Sequence, residues 1–149
     1  MATNSVTLHR VIKATPEKVF RAFSEANALA AWIPPYGFLC TVHEMDFRVE
    51  GIYKMSFTNF STGNGHSFGG KFLEIKPNEF IKHTDIFDDP NLTGEMITSI
   101  WLKKVLVGTE LKILQEGIPS VIPTEMCYLG WQDSLEKLAK LVEPEIPDA

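Results

Sequence analysis

From Phe38 to about Glu116 the residues alternate with period two, and from Pro123 to about Val142 they recur at helical spacing. A run of strand-like segments closed by one long amphipathic helix restricts the fold more than any other feature of this chain. The first strand, from Phe38, carries Leu39, Thr41, His43, Met45 and Phe47 on one face and Cys40, Val42, Glu44 and Asp46 on the other. Further strands read at Ile52–Phe57, Ser67–Ile75, Glu79–Phe87, Glu95–Lys104 and Thr109–Glu116. Their separators are short and turn-forming: Ser61–Gly65, Pro77-Asn78, Asp88–Asn91 and Val107-Gly108. Short links between successive strands predict an antiparallel meander.

The closing helix is about twenty residues long, roughly 30 Å. Trp131, Leu135, Leu138 and Val142 form its apolar stripe, which Met126, Cys127 and Gly130 extend. Pro144 ends it, and residues 144–149 read as a fraying acidic tail. Ahead of the meander, Ser5–Lys13 reads as a β-branched strand. Thr15-Pro16-Glu17 then combines an N-cap, a first-turn proline and an acid suited to the helix dipole. Val19, Phe20 and Phe23 give that helix its apolar face. A second short helix, Asn27–Trp32, stops before Pro34-Pro35.

One helix cannot cover six or seven strands laid flat. The expected fold is α+β: a curved antiparallel sheet of six to seven strands wrapped around the long C-terminal helix, with two short helices after the first strand. The concave side then becomes a chamber. At 149 residues the chain reads as one domain, 1–149. An aromatic content of 11% with ten Phe points to a core or cavity built largely from rings.

The net charge of −5 and the absence of any basic stripe exclude a nucleic-acid footprint. The acidic balance also argues against anionic membranes. No signal peptide and no apolar run of membrane-spanning length is present, so the expected location is the cytoplasm. Cys40 and Cys127 read as reduced thiols packed as small apolar residues.

The segments Arg10–Phe20, Trp32–Pro35, Asp46–Tyr53, Gly70–Pro77, Gly108–Leu111 and Gly130–Leu135 occur in the order found in one known group. With them the chain resembles the START-like helix-grip superfamily, also called SRPBCC. More closely it resembles the single-domain bacterial homologues of the activator of heat-shock protein 90 ATPase. Three departures from that pattern stand out: Ile33 in place of a second Trp, Glu50 in place of the first Gly of a pair, and His83-Thr84 near a usual strand-end Trp. The eukaryotic activators carry an additional chaperone-binding domain, so the resemblance does not imply chaperone activation.

Gly65–Lys71 satisfies G-x-x-x-x-G-K, but Phe72 follows and the segment enters a strand, which a phosphate loop does not do. His9, His43, His66 and His83 lack metal-ligand spacing and there is no Cys-x-x-Cys, so neither a metal nor another cofactor is expected. No Gly-x-Ser-x-Gly elbow appears, and no catalytic residue is assigned. His43 and His83 are the two polar side chains suited to orienting a ligand or moving a proton.

The expected function is non-catalytic binding of a small hydrophobic or amphipathic molecule between sheet and helix. Face assignment and resemblance nominate Trp32, Met45, Phe57, Phe72, His83, Trp101, Met126 and Trp131 as its lining. Two alternatives stay open. One is a cyclase- or hydrolase-like enzyme of the same superfamily. The other is an interaction module, a chaperone partner or a homodimer.

Overall fold

Val6, Leu8 and Ile12 give one apolar face to β1 (Thr3–Ile12), the first strand of the computed structural model, which describes residues 3–148. Met1, Ala2 and Ala149 lie outside the described residues, and with them the extreme ends of the expected domain span, of the N-terminal leader reading and of the acidic tail. Thr15 caps α1 (Pro16–Ser24) by accepting the Lys18 amide at 3.2 Å, with Pro16 at the first turn. The short α2 (Ala26–Trp32) ends before Pro34. Six strands follow: β2 (Phe38–Met45), β3 (Ile52–Asn59), β4 (Gly65–Lys76), β5 (Phe80–Phe87), β6 (Met96–Val105) and β7 (Gly108–Pro119). The last element is α3 (Thr124–Val142).

The strands form one curved antiparallel sheet in the order β1-β7-β6-β5-β4-β3-β2. Each strand from β2 to β7 pairs with the next, as short turns dictate. β1 closes the far edge beside β7, so α1 and α2 carry the chain from one edge of the sheet to the other. α3 lies against β1, α1 and α2. Its C-terminal half buries Leu135, Leu138, Ala139 and Val142 in the common core. Burial of each of the leucines and of Val142 stabilises by about 1.5–3 kcal/mol, which holds the helix on the sheet. The N-terminal half is less covered, and Met126 and Leu129 are exposed there.

Gly65–Lys71 lies wholly within β4, in extended backbone rather than a strand-to-helix loop. The Asp46–Gly51 turn is tied by Arg48 Nε to Asp46 Oδ2 at 2.7 Å and by the Gly51 amide to the Arg48 carbonyl at 2.8 Å. Glu50, which replaces the first glycine of the resembling pattern, sits at φ 71°, in the left-handed region.

The expected faces of β2 need correction. Val42 pairs with Met55 but Glu44 pairs with Lys54, so His43 is an extra residue in a β-bulge. The bulge reverses the alternation. Cys40 and Val42 are half-buried before it and Met45 after it, while Leu39, Thr41 and His43 are exposed. His43 therefore stands on the outer face, 2.7 Å from Ser56 Oγ.

Candidate functional site

The concave face of the sheet and the N-terminal half of α3 do not meet. Between them lies a cavity of about 720 Å³, within the range of sites that hold small molecules. Its walls come from β2 to β7, from Phe23, Leu29 and Ile33 of the helical crossover, and from Cys127, Gly130 and Trp131 of α3. Exposed residues at its margin, among them His66, Asp88, Asp89 and Met126, mark the mouth. No lysine or arginine is among the described lining residues.

Strand register explains the one polar corner of this apolar wall. Phe72 on β4, His83 on β5, Thr98 on β6 and Gln115 on β7 stand opposite one another in a single row. One step along, Tyr53 on β3 faces Gly70 on β4. The pairs Gly69–Ile86 and Phe72–His83 then set Gly70 opposite Asp85. Gly70 has no side chain, so the Tyr53 phenol crosses β4 and reaches β5, two strands or about 10 Å away. A Cβ on Gly70 would overlap the Thr84 carbonyl oxygen. That carbonyl is turned out of the ladder toward the concave side, and the Lys71 amide donates to Thr84 Oγ1 at 2.9 Å.

The result is a buried network around Asp85. Its Oδ1 accepts from the Tyr53 hydroxyl and lies 3.1 Å from His83 Nδ1, and its Oδ2 accepts from the Thr98 hydroxyl at 2.6 Å. The Thr84 carbonyl oxygen lies 3.1 Å from the Tyr53 hydroxyl and 3.3 Å from His83 Nδ1. A buried carboxylate is tolerable only when its oxygens are satisfied in this way. Burial by itself works to raise the Asp85 pKa, but the neighbouring imidazole and the three hydrogen bonds outweigh it, and the group lies below its ordinary value. Burial likewise opposes charge on His83, yet Asp85 prevails and the imidazole pKa is raised. Burial and the Asp85 charge push the Tyr53 phenol well up, so it remains a donor.

His83 Nδ1 is committed to Asp85 and Thr84. Its Nε2 has no partner among the described residues. No buried side-chain nitrogen or oxygen among the described residues is unpaired, so Nε2 faces open space, which is the cavity. Gln115 Oε1 accepts from the Trp131 indole at 3.1 Å. Indole N–H is donor only, which fixes the amide orientation and turns the Gln115 NH₂ away as a free donor.

Of the residues nominated from sequence, Met45, Phe57, Phe72, His83, Met126 and Trp131 line this cavity. Trp32 does not. It is fully buried between the two short helices, edge-on to Phe23 with its N–H donated to the Ala22 carbonyl at 2.8 Å. Trp101 does not either. Met96, Thr98 and Ile100 take the concave side of β6, and alternation sends Trp101 to the convex side, against Phe80 and under Lys112. Sequence reasoning missed Tyr53, Asp85, Thr98 and Gln115 as site residues. Asp85 had a readable signal, a carboxylate sharing a strand face with Ile81, His83 and Phe87. Cys127, also in the wall, is a free thiol whose pKa burial raises.

The model of the family described as activator of Hsp90 ATPase homolog 1-like protein matches residues 13–143. The chain belongs to this family. Among solved structures, a protein of Chromobacterium violaceum is 56% identical to this family member, covering 95% of this chain and 99% of its own, with a TM-score of 0.94. A Rhodobacter sphaeroides protein is 19% identical over 92% of this chain and 90% of its own, with a TM-score of 0.82. One from Nitrosomonas europaea is 20% identical over 92% of each chain, with a TM-score of 0.76. The latter two show the common fold alone. No curated protein matches the chain. The activator-like fold thus supplies an SRPBCC-type module with a curved sheet and a closing helix. The polar corner at Asp85 is built by this chain's own residues.

Proposed function

We propose that the protein binds a small, largely apolar molecule in the cavity between sheet and α3. The observation that carries this reading is the space itself: about 720 Å³ left unfilled by side chains and lined mostly by apolar residues. Apolar walls held apart in this way forfeit dispersion contacts that a guest would restore. Phe57, Phe68, Phe87 and Trp131 supply an apolar wall, and His83 and Gln115 offer two free polar atoms that can orient a guest. The free thiols Cys40 and Cys127 suit a reducing compartment, which supports a cytoplasmic setting.

The test is a titration with N-phenyl-1-naphthylamine, a neutral dye that brightens in apolar surroundings. The expected result is saturable binding of one dye per chain, with energy transfer from tryptophan. Emission that rises linearly without saturation would overturn the reading.

One observation favours a second reading, acid–base chemistry on the bound molecule. Asp85 holds His83 by Nδ1 and leaves Nε2 toward the cavity, the orientation that a general base requires. Incubation of a bound guest with the protein and recovery by mass spectrometry separates the two. The binding reading expects the guest back unchanged.

A further inference from the structure

The cavity excludes most charged guests. An anion would pass Asp88 and Asp89 at the mouth, and inside it would meet no lysine or arginine. Of the two histidines in the described lining, His66 stands exposed at the mouth and His83 is already shared with Asp85. An ammonium group carried inside, beyond the exposed Asp88 and Asp89, would have to displace donors from Asp85, whose oxygens already take Tyr53, Thr98 and His83. A neutral guest avoids both costs.

With Nδ1–H held by Asp85 and Thr84, His83 presents Nε2 to the cavity as an acceptor once pH exceeds the raised pKa of its imidazole. The carboxylate behind the ring strengthens that acceptor, since it stabilises positive charge developing on the imidazole. The guest group that gains most is an acidic hydroxyl. The surrounding rings of Phe57, Phe68, Phe72, Phe87 and Trp131 suit a flat aromatic body that can stack or meet them edge-on. We infer that the cavity takes an uncharged aromatic molecule carrying a phenolic hydroxyl, which donates its hydrogen bond to His83 Nε2. This inference rests on the reading of the cavity as a ligand site.

Three probes of one shape test it at a pH above the His83 titration: 2-naphthol, its methyl ether 2-methoxynaphthalene, and 2-naphthoate. A hydrogen bond of this type predicts that the intact protein binds 2-naphthol about tenfold or more tighter than the ether. The naphthoate should bind weakest. In His83→Leu, naphthol and ether should come within about threefold of each other, the ether being little affected. Because the variant may lose structure for other reasons, imidazole ¹⁵N spectra of the unmutated protein provide a second readout. Naphthol should shift His83 Nε2 far more than the ether does and leave His9 and His43, which lie outside the lining, in place. Equal affinity for naphthol and ether, a preference that survives His83→Leu, or tightest binding of naphthoate would overturn the inference. If N-phenyl-1-naphthylamine binds but naphthol shows no preference, only this inference falls. If neither the dye nor any naphthalene binds, the cavity reading falls with it.

Discussion

Asp85 is a carboxylate on an apolar wall, and its three donors define how that wall titrates. Its pKa in the fold lies below the ordinary 3.8 and that of His83 lies above the ordinary 6.5. The Asp85 contribution to stability is therefore complete above 3.8 and is lost as pH falls through the lower folded value. The His83 contribution is complete below 6.5 and is lost as pH rises through the higher folded value. Stability from this pair is greatest between those limits. Asp85→Asn removes the charge that holds the imidazolium, so the His83 pKa should drop below its wild-type value and both flanks of the stability profile should flatten. An NMR titration of the His83 ring with urea unfolding at several pH values checks both. An unchanged His83 titration would show that Asp85 does not control it.

At the scale of elements, the decisive pieces are glycines and one bulge. Gly70→Ala places a Cβ against the Thr84 carbonyl oxygen, between Tyr53 and Asp85. Overpacking of this kind predicts a loss of about 1–3 kcal/mol, read as a lower denaturant midpoint. Gly130→Ala should act in the opposite direction. Gly130 is inside α3, and its added Cβ would meet Pro35 at an ordinary 3.7 Å. Helix propensity then predicts a gain of about 0.5–1 kcal/mol by the same measurement. These elements show what sequence patterning can carry. The strand and helix spans were legible because turn residues and a change of period bound each one, and Thr15-Pro16 announced α1. The faces were less so. Strict alternation puts His43 on one face with Met45 and Phe47, and an extra residue in β2 leaves no mark in its own sequence. Trp101 was misplaced because both faces of β6 carry apolar residues, so parity had two answers until the core chose Ile100. His83 and Asp85 shared a readable face. Tyr53 joined them only through register, across a glycine on another strand.

At the scale of the whole molecule, seven strands outsize one helix. The sheet curls, the C-terminal half of α3 seals the core with β1 and the helical crossover, and the other half stands off from the concave face. That mismatch leaves the cavity, and the fold does not name a guest for it. Blocking should be simple from Gly130, the small residue of the helical wall. Gly130→Phe directs a ring toward the space while its backbone stays helical, so the fold should persist and binding should not. Native mass spectrometry of the freshly purified protein and of this variant, each with and without added N-phenyl-1-naphthylamine, tests the central claim most directly. The account predicts one small molecule bound to the unmodified chain, lost on unfolding and absent from Gly130→Phe. An empty unmodified chain that takes up no dye, or a bound mass that Gly130→Phe retains, would contradict it.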